Sequence, residues 1–378
     1  MRVMVAMSGG VDSSVACGLM HEAGHEVIGL TMRLRDTTTF ERGGQGGSCC
    51  SPDDIGDAAA VCDQLGVPHY VVDYRDAFKK AVIEPFAKSY LEGLTPNPCV
   101  LCNDHLKFSA LLTRARALGA DLLITGHYAR SVEQGDRWTL RTAVDGSKDQ
   151  SYFLFGIRQK ALARTRFPLG DMTKDEVRAH AHRMGLAVAD KADSEDICFV
   201  PDGDYAKVVE QTVGADAVPG AGPIVNTEGK VLGEHQGVHH FTVGQRKGLG
   251  VAAGTRLYVL EVDGPGRTIV VGGAEGLLAG GLTANRCNWI SGLAPTSEVA
   301  CTVKIRYRHP GVPAIVRPSE DGRGVVVRFQ APQRAVTGGQ AAVFYNGDEV
   351  IGGGWIDQAL AADQVLSAGE VTPRVSGS

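Results

Sequence analysis

The sequence predicts an α/β fold in which a doubly wound parallel sheet is followed by two smaller, β-rich domains. Short apolar segments alternate with helical segments up to about residue 200, which is typical of a parallel sheet with crossover helices. A turn rich in glycine and serine lies between the first apolar segment and the first helical one. Beyond about residue 200 the helical periodicity fades, and short runs of β-forming residues replace it.

The elements of the first domain follow one another in the order of βαβ units. Between the second strand and the second helix, residues 36–51 are rich in Thr, Gly and Ser, which indicates a mobile loop. The predicted strands cover residues 2–7, 27–34, 69–73 and 121–125, and the predicted helices cover residues 11–23, 53–65, 77–91 and 105–118.

The later part of the chain predicts two further domains. Residues 1–200 form the predicted α/β domain, residues 201–280 a small linker domain, and residues 281–365 a β-barrel-like domain. Strand-like runs such as TVKIRY (302–307) and GVVVRF (324–329) support the barrel. The small, polar residues 366–378 predict a disordered tail.

Composition limits the class of protein. The 378 residues carry 38 Lys and Arg against 43 Asp and Glu, a net charge of −5, which argues against a protein that simply coats a polyanion. Charges interrupt every apolar stretch, and no cationic and apolar leader is visible, so we expect a cytoplasmic protein without a membrane span. Nine cysteines are too few for a disulfide scaffold and are expected as thiols, redox pairs or metal ligands.

Local charge differs from the total. Residues 301–334 contain seven basic and two acidic residues, which gives this segment a net charge of +5. Tyr307 and His309 alternate with the arginines, as suits stacking on an RNA loop, although a solvated strand face is the plainer alternative. The seven basic residues are Lys304, Arg306, Arg308, Arg317, Arg323, Arg328 and Arg334.

The first chemical motif is SGGVDSS at residues 8–14, between a strand and a helix. Two glycines let backbone amides approach an anion, the serines add hydroxyl donors, and the helix N-terminus adds partial positive charge. The motif lacks the Gly-Lys-[Ser/Thr] end of a Walker A loop. It resembles the PP-loop of the N-type ATP pyrophosphatases, which hold ATP while a substrate oxygen attacks the α-phosphate. The alternative is a Gly-Ser turn capped by Asp12.

The second motif is a CxxC pair, Cys99 and Cys102, that follows two prolines and precedes a predicted helix. A thiol near a helix N-terminus has its thiolate favoured. With Cys198, the pair offers one thiol to carry a persulfide and another to resolve the resulting disulfide. The alternative is a structural zinc site completed by Cys49 and Cys50. The other four cysteines, which lie in apolar contexts, are expected in cores: Cys17, Cys62, Cys287 and Cys301.

Six motifs in order carry a family resemblance from about residue 2 to 360. They are SGGVDSS, TPNPCVLCN (95–103), TGHYAR (125–130), KDQSYFL (148–154), ICF (197–199) and GQRKGLG (244–250). Together they resemble the bacterial tRNA-specific 2-thiouridylases. The resemblance implies that ATP adenylates O2 of uridine 34 in the tRNAs for Lys, Glu and Gln. A cysteine persulfide then replaces the oxygen, giving 2-thiouridine, AMP and pyrophosphate.

The resemblance also implies roles for individual residues. Cys102 is the implied nucleophile, Cys198 the implied persulfide carrier, and the two would form a disulfide during catalysis. The ATP-binding residues would be Ala6, Met7, Ser8, Gly9, Gly10, Val11, Asp12, Ser13, Met32 and Gly126. The target base would contact Asn97, Pro98 and Cys99, and tRNA would contact Lys148, Asp149, Gln150, Arg306 and Tyr307. Implied partners are tRNA, Mg²⁺ and a sulfur donor, either a cysteine desulfurase or a sulfur-relay protein.

One position departs from the family pattern. The residue three before the nucleophile is often an Asp that acts as general acid or base, and here it is Cys99. A thiol titrates near pH 8.5 and is able to move a proton. Alternatively, Cys99, Cys102 and Cys198 hold three irons of a [4Fe–4S] cluster whose fourth iron binds sulfide.

Two other functions remain open from the sequence. One is another N-type adenylating ligase, which would not need the pair Cys102 and Cys198. The other is a non-catalytic, zinc-stabilised RNA-binding protein. Among the remaining polar residues, His127 is expected to contact the nucleotide or cap a strand end. His239 and His240 are expected as structural histidines.

Overall fold

The computed structural model describes residues 1–35, 52–193, 197–200, 203–251 and 254–367. The predicted loop at 36–51, with Cys49 and Cys50, and the tail beyond Ser367 lie outside the described residues. The chain divides into two compact units. The first comprises Met1–Val82, Pro98–Asp204 and Asp348–Val350, and the second comprises Ile83–Asn97, Tyr205–Gly347 and Ile351–Ser378.

A parallel sheet of five strands organises the first unit. Its spatial order is β3-β2-β1-β4-β7. Strands β5 and β6 form an antiparallel hairpin, and β6 pairs with Glu349 and Val350. Val3, Met4 and Val5 in the central strand are fully buried, as expected of a sheet covered on both faces. The strands are β1 (Arg2–Ala6), β2 (Glu26–Arg33), β3 (His69–Asp73), β4 (Leu122–Ile124), β5 (Ala129–Gln134), β6 (Arg137–Thr142) and β7 (Thr165–Arg166).

Eight helices occur before residue 204 in the described part of the chain, and α4 among them belongs to the second unit. Two π-helical segments, Lys79–Ile83 and Asn103–Leu111, widen the helices that they join. The helices are α1 (Val11–Glu22), α2 (Pro52–Leu65), α3 (Arg75–Phe78), α4 (Glu84–Leu91), α5 (Pro98–Cys102), α6 (Leu112–Ala117), α7 (Gln159–Leu162) and α8 (Lys174–Arg183).

The order of the parallel strands reverses at β1, and this reversal positions the site. The chain runs from β1 outward to β2 and β3 on one side, and β4 and β7 lie on the other. In open α/β sheets, ligands bind at the carboxyl ends of the strands where the order reverses. The SGGVDSS turn and the TGHYAR segment follow β1 and β4 at this point.

The second unit begins with a small sheet in which β11 pairs in parallel with β8 and the other pairs are antiparallel. Ile224, Val259 and Ile269 are fully buried in its core. Helix α9 (Tyr205–Val213) packs beside α4, and the rings of Tyr90 and Tyr205 stack at 5.0 Å. The strands are β8 (Gly222–Asn226), β9 (Val231–His235), β10 (Tyr258–Asp263) and β11 (Thr268–Gly272).

Six further antiparallel strands close into a barrel. Their order is β12-β15-β14-β13-β16-β17, and β12 also pairs with β17, which removes the free edges. Val303, Val316 and Phe344 are fully buried in the barrel core. The strands are β12 (Leu278–Trp289), β13 (Val299–Lys304), β14 (Val312–Pro318), β15 (Val325–Arg334), β16 (Ala341–Asn346) and β17 (Glu349–Leu360).

The fold class predicted from the sequence is confirmed, and two elements differ from prediction. The helix expected at 105–118 begins at Pro98, because a proline is well suited to the first helical position. The short helix α10 (Ala362–Ser367) includes the first two residues of the predicted tail. In the described part of the chain, no helix is long and apolar enough to span a membrane.

Candidate active site

Residues 8–14 form the turn between β1 and α1, which we call the PP-loop. The Ser8 amide donates to Ser13 Oγ at 3.1 Å, and Ser14 Oγ donates to the Gly10 carbonyl at 2.8 Å. Gly10 is the N-cap residue of α1 and has no side chain to cover the first turn, whose amides favour an anion. Gly9 has φ +74°, and a Cβ there would lie 2.2 Å from the Asp54 carbonyl oxygen. The turn therefore has the shape and polarity of a phosphate cradle.

Gly126 and Met32 lie at the carboxyl ends of the strands beside the PP-loop. A Cβ at Gly126 would lie 2.7 Å from the Ser13 amide nitrogen, so the two backbones are in close contact. Met32 is buried in β2, two residues beyond the partner of Ala6. The structure thus brings together the separate segments that the sequence assigned to ATP.

Asp12 binds two side chains rather than capping its own turn. Its Oδ1 accepts hydrogen bonds from Tyr128 Oη at 2.8 Å and from Lys174 Nζ at 2.7 Å. Burial and the nearby Asp12 carboxylate raise the pKa of the Tyr128 hydroxyl, so it stays protonated and donates. The simple Gly-Ser turn capped by Asp12 is therefore not what the structure contains.

Asp193 lies at the centre of a cationic cluster. Lys148 and Lys174 each approach its carboxylate to 2.7 Å, and Arg178 approaches to 3.3 Å. Burial raises the pKa of the Asp193 carboxyl, but the hydrogen bonds from Lys148 and Lys174 outweigh it and leave the pKa below its ordinary value. Because three cations already surround this carboxylate, it is poorly suited to hold a magnesium ion.

Lys191 connects the PP-loop to the start of α2. Its Nζ donates to the Gly9 carbonyl at 3.0 Å, to Asp54 at 2.7 Å and to Asp57 at 2.6 Å. Burial lowers the pKa of Lys191, but the two carboxylates more than compensate and raise it overall. The ammonium group therefore stays charged and holds the PP-loop backbone in place.

The CxxC motif forms the first turn of a helix that starts at Pro98. Cys99 is exposed and Cys102 is half-buried. Residues three apart share a helix face, so both thiols lie on the same side. Just before this helix, in the second unit, Asn97 is buried, and Thr95 bonds to Gly338 and Gln340.

A chain of hydrogen bonds joins the cysteine helix to the PP-loop within the first unit. Asn103, next to Cys102, donates from Nδ2 to the Phe153 carbonyl at 2.9 Å. The Phe153 amide donates to the Gln150 carbonyl, and Gln150 Oε1 accepts from the Tyr128 amide at 3.0 Å. Tyr128 is the residue that binds the PP-loop aspartate. The KDQSYFL segment is therefore the bridge between the two motifs.

Asp104 is a buried carboxyl that the sequence analysis did not single out. Its Oδ1 has no hydrogen-bond partner among the described residues, and burial raises the pKa to about 7. A Cβ at Gly156 would lie 2.1 Å from Oδ1, so this glycine makes room for the carboxyl. Residues two apart do not face each other on a helix, so Asp104 points away from the face of Cys102.

The basic segment of the barrel presents a cationic surface in the second unit. Arg306 is exposed, and its Nη1 donates to the Arg334 carbonyl at 3.4 Å. The Arg334 guanidinium stacks 4.6 Å above the centre of the Tyr258 ring. His309, by contrast, is buried and accepts a hydrogen bond from Gly311, so it cannot stack on RNA as the sequence suggested.

Three family models match consecutive stretches of the chain. A family model described as the tRNA methyl transferase HUP domain matches residues 1–202. Models of a tRNA methyl transferase PRC-barrel domain and an aminomethyltransferase β-barrel domain match residues 208–273 and 279–356. A tRNA-specific 2-thiouridylase from Geotalea uraniireducens is 51% identical over 371 residues, covering 97% of each chain. One from Geobacter metallireducens is 52% identical over 95% of this chain and 97% of its own.

The chain belongs to the tRNA-specific 2-thiouridylase family. Among solved structures, NMN synthetase from Francisella tularensis is 17% identical, with a TM-score of 0.32 over 57% of this chain and 76% of its own. That likeness is too slight to add to the assignment. Membership in the 2-thiouridylase family favours sulfur transfer over the other reactions that a PP-loop permits.

The residues that the sequence predicts near the site differ in how far they are buried. Asp149 is buried and accepts hydrogen bonds from the Ala143 amide and from Ser151, so its side chain orders the KDQ turn. Lys148 and Gln150, on either side, are half-buried. His127 is half-buried, and its ring nitrogens bond to Thr125 Oγ1 and Lys107 Nζ, which supports a structural role over nucleotide contact.

Sequence reasoning missed the side chains that hold the PP-loop of this 2-thiouridylase family member. Tyr128, Lys174 and Lys191 contact it and Asp54 holds Lys191, yet none has a local pattern that indicates this role. Tyr128 alone lay inside a quoted motif, TGHYAR. The cysteines expected in cores are consistent with that role: Cys17 and Cys62 are buried, and burial raises the pKa of Cys287 and Cys301 to about 12.

Proposed function

We propose that this chain synthesises 2-thiouridine in tRNA, at uridine 34 of the tRNAs for Lys, Glu and Gln. The observation that carries the proposal is the hydrogen-bonded connection between a PP-loop and a helix that begins with CxxC. A PP-loop activates an oxygen with ATP, and a thiol pair delivers sulfur to the activated carbon. Membership in the 2-thiouridylase family supports this pairing of functions.

In the first step, ATP activates the base. The PP-loop amides and serine hydroxyls would hold the ATP phosphates while uridine O2 attacks the α-phosphate and pyrophosphate leaves. Mg²⁺ would accompany ATP and offset the charge of its phosphates. Lys174 and Lys191 would keep the PP-loop in shape through Asp12 and the Gly9 carbonyl. The residues proposed to contact ATP are Ala6, Met7, Ser8, Gly9, Gly10, Val11, Asp12, Ser13, Met32 and Gly126.

In the second step, sulfur replaces the adenylated oxygen. The terminal sulfur of a persulfide on Cys198 attacks C2 of the uracil, and AMP leaves with the oxygen. The Cys102 thiolate then attacks Cys198 Sγ, which breaks the persulfide S–S bond and forms a Cys102–Cys198 disulfide. A thiol reductant restores both cysteines, and a desulfurase or relay protein reloads Cys198.

Chain length supports the approach of Cys198 to the site. Asp193 is held by Lys174, which also binds the PP-loop aspartate. Cys198 is five positions after Asp193, and a stretch of that length spans at most about 17 to 18 Å when fully extended. The Phe199 ring then packs 5.8 Å from Phe78 within the same unit.

We propose that tRNA contacts two regions of the chain. Lys148 and Gln150, ordered by the buried Asp149, would contact tRNA beside the PP-loop, and Asn97, Pro98 and Cys99 would face the target base. Arg306 and Tyr307 would contact tRNA from the barrel. We further propose that residues 1–200 are the catalytic domain, residues 201–280 a linker domain that contacts tRNA, and residues 281–365 a tRNA-binding barrel domain of a cytoplasmic protein.

The decisive experiment is mass spectrometry of tRNA nucleosides after incubation with ATP and a persulfide donor. We expect 2-thiouridine with the native chain and with Cys287→Ser, whose half-buried side chain packs against the barrel core. Cys102→Ser and Cys198→Ser should abolish it while ATP-dependent pyrophosphate release persists. No 2-thiouridine from the native chain, or full activity of both cysteine variants, would refute the proposal.

A second mechanism is favoured by one observation, the presence of Cys99 on the same helix face as Cys102. These two thiols with Cys198 would ligate three irons of a [4Fe–4S] cluster. Anaerobic purification followed by iron and acid-labile sulfide analysis separates the mechanisms. Four irons per chain, lost in Cys99→Ser, would support the cluster, and a fully active protein without iron would exclude it.

A further inference from the structure

We propose that Glu210, His239 and His240 form a binding site for a divalent transition-metal ion such as Zn²⁺. The site lies in the second unit and is independent of the thiolation chemistry. Glu210 belongs to α9, and the two histidines belong to the 3₁₀ turn Val238–His240. The sequence predicts only a structural role for these histidines, because it does not reveal that the fold places the Glu210 carboxylate beside them.

The three side chains converge at the spacing of metal ligands. Glu210 Oε1 lies 3.2 Å from His239 Nε2 and 3.8 Å from His240 Nε2. One ligand atom from each residue lies within 4.8 Å of the others. Ligand bonds of about 2.0–2.1 Å in a tetrahedral zinc site place neighbouring ligand atoms roughly 3.3 Å apart. The observed separations need only small side-chain movements to reach that geometry.

The packing holds the buried ligand in position before any ion binds. The His239 side chain is 1% exposed. Its ring lies against Gly237, where a Cβ would approach to 2.4 Å, and its centroid is 4.2 Å from that of the His240 ring. Both imidazoles therefore direct a nitrogen at the same carboxylate oxygen.

The charge and exposure of the site also suit a cation. The Glu210 carboxylate faces the two imidazoles. Two imidazole nitrogens and one carboxylate form a donor set for borderline metals such as Zn²⁺. The side chains of Glu210 and His240 are 45% and 43% exposed, which leaves an entry path and room for a water ligand.

A bound ion would fasten α9 to the turn that leads into the GQRKGLG loop at 244–250. Three protein ligands from two elements would then stabilise the second unit. Such a site needs no role in ATP or sulfur chemistry, so its occupancy is measured by metal binding and not by 2-thiouridine formation.

The test is a Co²⁺ titration of the full chain carrying Cys49→Ser, Cys50→Ser, Cys99→Ser, Cys102→Ser and Cys198→Ser, which removes the thiolates that the sequence offers as metal ligands. We expect one equivalent of Co²⁺ to give the visible absorption of four-coordinate cobalt, and Zn²⁺ to displace it. Loss of an outer-shell partner already costs about tenfold to a hundredfold in metal affinity. Glu210→Gln and His240→Ala, which remove direct ligands, should each weaken binding at least tenfold.

Matched controls are Glu234→Gln and His21→Ala, which change exposed residues of the same types outside the site. Both controls should bind Co²⁺ as tightly as the parent. The two test residues are half-exposed, so circular dichroism should show folded variants, whereas the buried His239 is left unchanged. Absence of one-to-one binding by the parent, or unaltered binding by both test variants, would overturn the proposal.

Discussion

Gly126 shows how little space the PP-loop leaves for a side chain. A Cβ at this position would meet the Ser13 amide nitrogen at 2.7 Å and the Asp12 carbonyl carbon at 2.8 Å. Both are backbone atoms, so Gly126→Ala must displace the PP-loop itself. A displacement of about 1 Å in a positioned site costs roughly a hundredfold in rate. We expect a loss of that order in ATP-dependent pyrophosphate release, with a folded protein.

A matched control for this substitution is Gly56→Ala. Gly56 lies in α2, near the same site, and a Cβ there would meet nothing within 4 Å. Alanine in a helix interior is favoured over glycine by about 1 kcal/mol, so the control should be active and slightly more stable. Equal activity of the Gly126 and Gly56 variants would contradict the close contact.

Asp104 predicts a pH dependence of stability. Burial raises its pKa to about 7 in the folded chain, against about 3.9 for an ordinary Asp. The folded state therefore binds more protons than the unfolded state between these values, and its stability falls as pH rises from about 4 to 7. Asp104→Asn, which mimics the protonated acid, should raise Tm by at least about 2 °C at pH 8.

The same variant should show little change in Tm at pH 5, where the native carboxyl is already protonated. Differential scanning calorimetry at the two pH values measures the difference. A Tm gain that is the same at pH 5 and pH 8 would show that Asp104 does not titrate in this range.

At the scale of residues, motifs of neighbouring residues were predictable from the sequence, whereas contacts between residues far apart in the chain were not. Ser8 to Ser14 and the pair Cys99 and Cys102 are visible as short patterns. Lys174 and Lys191 approach the PP-loop from more than 160 positions along the chain, and a single lysine carries no mark of its partner. Asp104 was missed because its burial depends on how the helix packs near Gly156.

At the scale of elements, the basic turn between β13 and β14 carries a prediction for tRNA binding. Arg306 in this turn is exposed, and Arg334 at the end of β15 is exposed and stacks on Tyr258, so both side chains reach the surface. Arg306→Ala should weaken tRNA binding and reduce the slope of log affinity against log salt by about one. ATP-dependent activity of the first unit should be retained. Gel-shift titrations at several salt concentrations measure both quantities.

The matched control for Arg306 is Arg317→Ala. Arg317 is also an exposed arginine of the barrel, but its Nε donates to Glu298 at 2.7 Å. Its charge is already compensated, so this variant should leave the salt slope unchanged. Identical losses from both substitutions would indicate a general charge effect and not a tRNA contact at Arg306.

Element boundaries were predictable where the periodicity is strong and failed where it changes. Strand β3 occupies the predicted residues, and α1 ends within one residue of the prediction. The helix that starts at Pro98 was placed seven residues too late, because two prolines and two cysteines resemble a loop. A π-helical stretch, Asn103–Leu111, then breaks the 3.6-residue period that would have revealed it.

At the scale of the whole molecule, charge is distributed unevenly, and this predicts how salt acts on the enzyme. The chain carries −5 overall while the barrel segment from 301 to 334 carries +5. If tRNA binding uses two to four phosphate contacts, its affinity should fall about tenfold to a hundredfold between 50 and 200 mM salt. Steady-state kinetics with varied tRNA measures this as a rising KM.

The saturating rate with tRNA provides the comparison within the same experiment. The contacts that order the PP-loop are buried or half-buried, and salt screens such contacts little. We therefore expect kcat to change far less with salt than the KM for tRNA. A KM for tRNA that is insensitive to salt would contradict binding through the basic barrel surface.

The order of chain synthesis adds a consequence of the discontinuous first unit. Asp348–Val350 belongs to that unit: Asp348 binds Arg130 at 2.8 Å, and Glu349 and Val350 pair with β6. The ribosome must therefore synthesise almost 350 residues before the first unit can form this pairing with β6. By then nearly all of the barrel has also emerged, so the first unit is completed only after strands β8 to β16 of the second unit have been synthesised.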